Sequence, residues 1–187
     1  LNGHVAIYST AGNGIKDYDN LALSITEMPG VIAVTPQIEG QVMATKNAVN
    51  LGAVIRGVRW SDLAARKPLW ESLNEKAIAS FRDEGGVLIG KTMAFKTGIA
   101  PGGTITLTTA RGKATAFGTL PTRRSFKVAG VFDVGMHEYD TSFIFMPLDV
   151  AGDFLGLPTS VSGLEIYVDD PQNIAFYRTA IASTLAK

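Results

Sequence analysis

The string from Gly85 to Thr92, GGVLIGKT, satisfies the pattern GxxxxGK[ST] letter for letter. In a phosphate-binding loop that pattern supplies converging backbone N–H groups, a lysine for the phosphates and a hydroxyl for magnesium. LEIYVDD, ending at Asp169 and Asp170, offers a carboxylate after a hydrophobic strand, the second part of such a site. A P-loop nucleotide hydrolase using Lys91 and Thr92 is therefore the sharpest chemistry the chain can be asked about. The local pattern argues against it. A phosphate cradle needs pliable residues that follow a buried strand. Here the variable positions include Val87, Leu88 and Ile89, which make a strand themselves, and the preceding IASFRDE is polar and helix-like. Gly90 reads as the turn into a short helix, and the hydrolase is kept as the alternative from a different function class.

Other catalytic constellations are weaker still. His4 and His137 are the only histidines, and neither sits in a metal-binding spacing. Asp133, Glu138 and Asp140 surround Tyr139 and contain the carboxylates of an acid/base pair, but acids between strands ordinarily serve turn geometry. Ser125 and Ser142 lack any motif marking a base beside them. The absence of cysteine excludes disulfides, thiolate zinc sites and thiol catalysis. The expectation is a chain that is not an enzyme, with no catalytic residue, no cofactor and no metal.

Charge is more informative than motif. The 187 residues balance 17 Lys+Arg against 17 Asp+Glu, yet residues 85–132 hold seven basic side chains and no acid. These are Lys91, Lys96, Arg111, Lys113, Arg123, Arg124 and Lys127. Such a segment can steer an acidic partner or an anionic surface. Nucleic acid is not expected, because only Phe117 and Phe126 stand near the five basic residues of positions 108–128, and Phe126 alternates with basic neighbours as a core-facing strand residue does. With 46% hydrophobic residues the chain is a folding domain. No apolar run reaches the roughly 18 residues of a membrane span, and no signal peptide is read at its start, so a soluble chain is expected.

The elements that must position these residues alternate in type. HVAIYS reads as a strand, Asp17 to Met28 as a helix with Leu21, Ile25 and Met28 on one stripe, and VIAVTPQIEGQVMAT and AVNLGAVIRGVR as an antiparallel pair. Residues 61–81 turn helical, with Trp60 and Trp70 as packing anchors, and RDEGG reads as a loop. VLIG, TITLTT, RSFKVAGVFDV and TSFIFMPL follow as strands, KTMAFKTG as a helix stopped by Gly98, and GMHEYD as a turn. DVAGDFLG is a short helix, VSGLEIYVDD a strand, and Pro171 opens a last helix that buries Ile174, Tyr177, Ile181 and Leu185. The fold class is α+β.

One connection stands out. TTARGKATAFGTLPTRR, Thr108 to Arg124, is longer than most hairpin loops and contains no acid. Basic residues flank Ala114, Ala116, Phe117, Leu120 and Pro121 near its tip. Burying a side chain such as Phe117 is worth roughly 1.5 to 3 kcal/mol, so a partner's pocket explains apolar residues there.

Three strings, GVLIGKTMAFKTGIAPGGTITL, PTRRSFKVAGVFDVGMHEYDTSFIFMPL and VSGLEIYVDDP, resemble in order and spacing the periplasmic domain of LolC/LolE-type lipoprotein-releasing permeases, members of the MacB-like class of ABC transporters. MPGVIAVTPQIEGQVM and VIRGVRW match more loosely, so the resemblance covers nearly the whole chain. It implies a porter-like α+β lobe from residues 1–60 plus 160–187, and an inserted β-rich lobe, residues 61–159, carrying a protruding hairpin. It also implies a soluble ectodomain at the periplasmic face of the bacterial inner membrane, cut from a multi-pass protein that passes lipoproteins to a periplasmic chaperone. The partners that follow are that chaperone, the lipoprotein substrates, a second permease subunit, the same or related, and a cytoplasmic ATPase reached through the full-length protein. A MacB-like efflux or mechanotransmission ectodomain is the alternative within the class. Aligned through Gly118 and Pro121, the hook of the LolC-type members falls at residues 109–122. The partner-binding residues implied are Arg111, Lys113, Ala116, Phe117, Gly118, Leu120, Pro121, Arg123 and Arg124. The family's proline before the tip glycine is not matched, since Ala116 and Phe117 precede Gly118; Phe117 is expected to take its place as the apolar anchor.

Overall fold

A computed structural model describes residues 2–10, 12–109, 113–115 and 118–185, with backbone alone at 113–115, 118 and 119. In chain order the elements begin with β1 (Val5–Tyr8), α1 (Tyr18–Thr26), β2 (Val31–Lys46), β3 (Val49–Val58), α2 (Trp60–Leu63), α3 (Lys67–Glu71) and α4 (Glu75–Glu84). They continue with β4 (Val87–Gly90), α5 (Lys91–Thr97), β5 (Thr104–Thr109), β6 (Lys113–Thr115), β7 (Gly118–Leu120) and β8 (Arg123–Phe132). The last are α6 (His137–Ser142), β9 (Phe143–Pro147), α7 (Leu148–Leu155), β10 (Gly163–Val168) and α8 (Ile174–Leu185). A single 3-10 turn, Pro171–Asn173, leads into α8.

The chain folds as two compact units, Leu1–Gln37 with Thr159–Lys187, and Ile38–Pro158. Sequence reading drew these boundaries at 60/61 and 159/160. The difference at the first has a plain cause: β3 pairs in parallel with β9, Val54 with Phe143 through Val58 with Pro147, so β3 belongs with the strands of the second unit. Hydrophobic periodicity identifies a strand but not its distant neighbour.

In the first unit β10 lies between β1 and the start of β2, antiparallel to both. Val5, Ile25, Leu164, Ile166, Val168, Tyr177 and Ile181 form its apolar core. On α1 the buried side chains are Ala22 and Ile25; Leu21 is only half-buried, as is Met28, which lies past the end of the helix. Leu185, expected inside, is 45% exposed at the end of α8, and Ile174 is only half-buried.

In the second unit the later half of β2 joins β3, β9, β4, β8 and β5 in order, and β5 pairs back onto β2, closing the ring. Closure leaves these strands no free sheet edge. Ile55, Leu88, Ile89, Ile105, Leu107, Val128, Phe132, Ile144, Phe145 and Met146 are buried completely. Helix α4 runs through Arg82–Glu84, where a loop was expected. Its ends explain the extension: the Asn74 side chain accepts the Ala77 N–H at 2.9 Å, and Gly85 takes the left-handed conformation that stops the helix. GMHEYD, expected as a turn, contributes to helix α6, beside which the Asp140 carboxylate accepts the Val134 N–H at 3.0 Å. Trp60, expected as a packing anchor, is 46% exposed beneath the Arg82 guanidinium, and Trp70 is half-buried; the buried side chains of α2 and α3 are Leu63 and Leu69. Arg56 is buried. Its guanidinium bonds Glu39 and the Tyr139 hydroxyl and lies 5.0 Å from the Phe143 ring centre.

Candidate functional site

Strand β5 is paired on both sides, with β8 from Thr104↔Lys127 to Thr108↔Arg123 and with β2 from Val42↔Thr109 to Thr45↔Thr106. Alternation along TITLTT sends Ile105, Leu107 and Thr109 inward and leaves Thr104, Thr106 and Thr108 on the outer face. At the end of this ladder the Thr109 N–H donates to the Thr122 carbonyl at 2.9 Å, while the Thr109 hydroxyl oxygen accepts the Thr122 N–H at 2.9 Å. Because Thr109 is only 4% exposed, this pair fixes both strands where they leave the wall. Beyond it β6 and β7 form their own antiparallel ribbon, Lys113↔Leu120, Ala114↔Thr119 and Thr115↔Gly118.

Leu120 is 60% exposed, and Pro121, Arg123 and Arg124 are exposed as well. The Arg124 guanidinium lies 5.0 Å from the ring centre of Phe126, which is itself buried and packs edge-on to Phe154. Core packing thus orients the shoulder from below. Lys113 and Gly118 are placed by their backbone, and Arg111, Ala116 and Phe117 lie outside the described residues.

Sequence reading missed the face beside this shoulder. Cross-strand rows place Met43 with Thr108 and Arg123, and Thr45 with Thr106 and Ser125. Met43 is 46% exposed, and the Thr106 and Ser125 hydroxyls are 2.9 Å apart. The alternation of TITLTT marks its threonines as outward-facing; nothing local shows that Met43 lies across from them.

Charge in space differs from charge along the chain. The Lys91 ammonium donates to Asp133 at 2.6 Å, and Lys127 to Glu84 at 2.7 Å. Both acids stand just outside the acid-free segment, one at each end. The hydrogen bond from Lys91, assisted by its charge, holds the Asp133 carboxyl below the usual carboxylate range; Lys127 and the Ser80 hydroxyl do the same for Glu84. Among the described side chains Lys91 and Lys127 are thus engaged locally, while Arg123 and Arg124 are exposed at the base of the hairpin.

The GGVLIGKT string takes another form. Val87, Leu88, Ile89 and Gly90 are the buried strand β4, and Lys91 is the first residue of α5, so no loop separates strand from helix. A Cβ at Gly90 would run into the backbone of Asp140, which is why glycine stands there. Asp169 accepts the Tyr177 hydroxyl at 2.6 Å and Asp170 the Gln172 N–H at 3.1 Å. His4 accepts the Val168 N–H at 3.0 Å through Nδ1. Among the described residues no cluster of three His, Asp or Glu side chains is placed to hold a metal ion.

The sequence matches the MacB-like periplasmic core domain family over residues 2–183. The chain belongs to this family. Among the relatives of this periplasmic core domain, the lipoprotein-releasing system transmembrane protein LolC of Neisseria meningitidis serogroup B is 26% identical over 165 residues, covering 86% of the chain and 39% of the relative. LolC of Xylella fastidiosa strain Temecula1 is 27% identical over 142 residues, 75% of the chain and 34% of the relative. LolE of Haemophilus influenzae is 22% identical over 158 residues, covering 84% and 38%. The chain therefore spans under two-fifths of the relatives' length in each of these three cases. The fold is shared with the extracellular domain of the ABC-type transporter YknZ from Gram-positive bacteria, at a TM-score of 0.58 and 14% identity over 92% of this chain and 86% of that one. It is shared also with the periplasmic region of MacB from Actinobacillus actinomycetemcomitans, at 0.56 and 11% over 96% and 80%. The core domain is of the kind carried by ABC-type permeases of the MacB and LolC group. No helix among its described residues is long and apolar enough to cross a membrane.

Proposed function

We propose that this periplasmic domain belongs to a lipoprotein-releasing ABC permease and uses its β6–β7 hairpin to dock a periplasmic lipoprotein chaperone. The observation that carries the reading is the hairpin: a ribbon clamped at Thr109 and Thr122, with Leu120 60% exposed beside Pro121 and with arginines at its shoulder. The names of the LolC and LolE relatives support lipoprotein release as the activity of the whole protein.

In this mechanism the domain performs no bond chemistry. Leu120, Pro121 and Phe117 leave water for an apolar pocket of the chaperone, and Arg111, Lys113, Arg123 and Arg124 draw an acidic rim toward it. Apolar burial sets how long the complex lasts, and charge sets how fast it forms. The hairpin base must be stiff for this, because a ribbon ordered only on binding loses affinity to its own ordering. Lipoproteins are the cargo, a second permease subunit completes the transporter, and a cytoplasmic ATPase drives it through the full-length protein.

The test is a calorimetric titration of the chain with the purified periplasmic lipoprotein chaperone. The reading requires saturable binding that Leu120→Asp abolishes while the far-UV spectrum stays unchanged. Equal affinity in the variant overturns it.

A further inference from the structure

Helix α8 is tied to the first unit by few groups. Its buried side chains are Tyr177 and Ile181; Phe176 is 59% and Leu185 45% exposed. The hydroxyls of Thr179, Ser183 and Thr184 donate to the carbonyls four residues back, at 3.0, 3.0 and 3.2 Å, so those bonds serve the helix and not its attachment. Thr184 otherwise comes within 4.0 Å of the Met28 sulfur, a weak acceptor.

Against this sparse background one constellation is closely built. The Tyr177 hydroxyl donates to Asp169 Oδ1 at 2.6 Å, just past the end of β10. Asp169 in turn donates its backbone N–H to the Gly30 carbonyl at 3.0 Å, at the turn between α1 and β2. Gly30 has φ +82°, a left-handed conformation that favours glycine, and a Cβ there would collide with the Tyr177 hydroxyl. The hydroxyl is therefore seated on the one residue type that leaves room for it. Donation to the carboxylate, with burial second, raises the Tyr177 pKa to about 12, so the donor keeps its proton throughout the neutral range.

We propose that Tyr177, Asp169 and Gly30 form a latch that makes α8 a releasable strap, able to leave the first unit as one piece while β1, β10 and β2 stay paired. Segments with few buried contacts open below the global unfolding free energy, and here one charge-assisted bond governs the opening. The proposal does not depend on what the hairpin binds.

Native-state hydrogen exchange on the whole chain tests it. Tyr177→Phe keeps the ring and removes the donor; amides of residues 174–185 should exchange about tenfold faster or more, with those of β1, β10 and β2 unchanged. Gly30→Ala should also speed exchange of residues 174–185, and its added effect should be smaller in the Tyr177→Phe background, where the nearest colliding atom is gone while the strain at φ +82° and the approach to Asp169 Oδ1 remain. If Tyr177→Phe does not fold, Asp169→Asn, which retains an uncharged acceptor, should give the same local pattern more weakly. Acceleration spread evenly over helix and strands, or none in α8, overturns the latch.

Discussion

Residues 85–92 and residues 109–124 have similar surface credentials in the sequence: both are glycine-containing, acid-free and marked by lysine or arginine. The fold treats them oppositely. The first becomes a fully buried strand running straight into a helix, its glycine required by the Asp140 backbone and its lysine engaged with Asp133. The second leaves the strand ring past a two-bond clamp and leaves Leu120 exposed. A residue pattern becomes a binding site only where the surrounding packing leaves its backbone or side chains available, and that is decided by neighbours outside the pattern.

This contrast can be broken most severely at Gly90. Gly90→Val should destabilise the chain by about 2 kcal/mol or more in urea unfolding, since the backbone of α6 has no way to yield cheaply. Leu120→Ala should change stability by less than about 0.5 kcal/mol. A tolerated valine at 90 places loop-like freedom where a strand-to-helix junction stands. Phe117→Ala should weaken chaperone binding about tenfold, equivalent to 1.4 kcal/mol, without shifting the unfolding midpoint; unchanged affinity removes Phe117 as the anchor. Reversing charge at Arg123 and Arg124 should slow association several-fold at low salt, with the rates converging at high salt. A deficit independent of ionic strength, in stopped-flow measurements, points instead to buried contacts. The smallest effect is expected from acid. Asp133 and Glu84 have depressed carboxyl pKa values in the folded chain, so their contribution is present above the unfolded value of roughly 4 and is lost as pH falls through the folded one. Asp133→Asn should therefore lower stability slightly near neutrality, where the pair with Lys91 is complete, and flatten the profile in the acid window so that the two chains converge as pH falls; equal stability at about pH 7, or a difference that grows in acid, contradicts the assignment.

Much of the fold was legible because its signals are local. Alternation in TITLTT, the Gly98 stop and the β-branched VLIG each reflect short-range geometry, and the strands and helix stand where those signals place them. Helix α6 was missed because its six residues carry turn-forming acids, one of which, Asp140, is held by a backbone N–H outside the helix. The first unit's boundary was misplaced because β3 finds its partner about ninety residues away. Leu120, Pro121, Arg123 and Arg124 are exposed, as their place in an acid-free loop suggests, whereas Met43 comes into the same cross-strand row as Arg123 only through the β2–β5 pairing.

By itself the sequence determined the alternation of strand and helix, the separation of charge, and the acid-free stretch with apolar residues near its centre, since each is a property of neighbours along the chain. Tertiary structure alone decided that β5 closes the ring onto β2, that Glu84 and Asp133 take up two of the lysines, and that Gly90 is filled against Asp140. Those outcomes depend on contacts between residues far apart in sequence, and side-chain period carries no information about which distant strand will lie alongside.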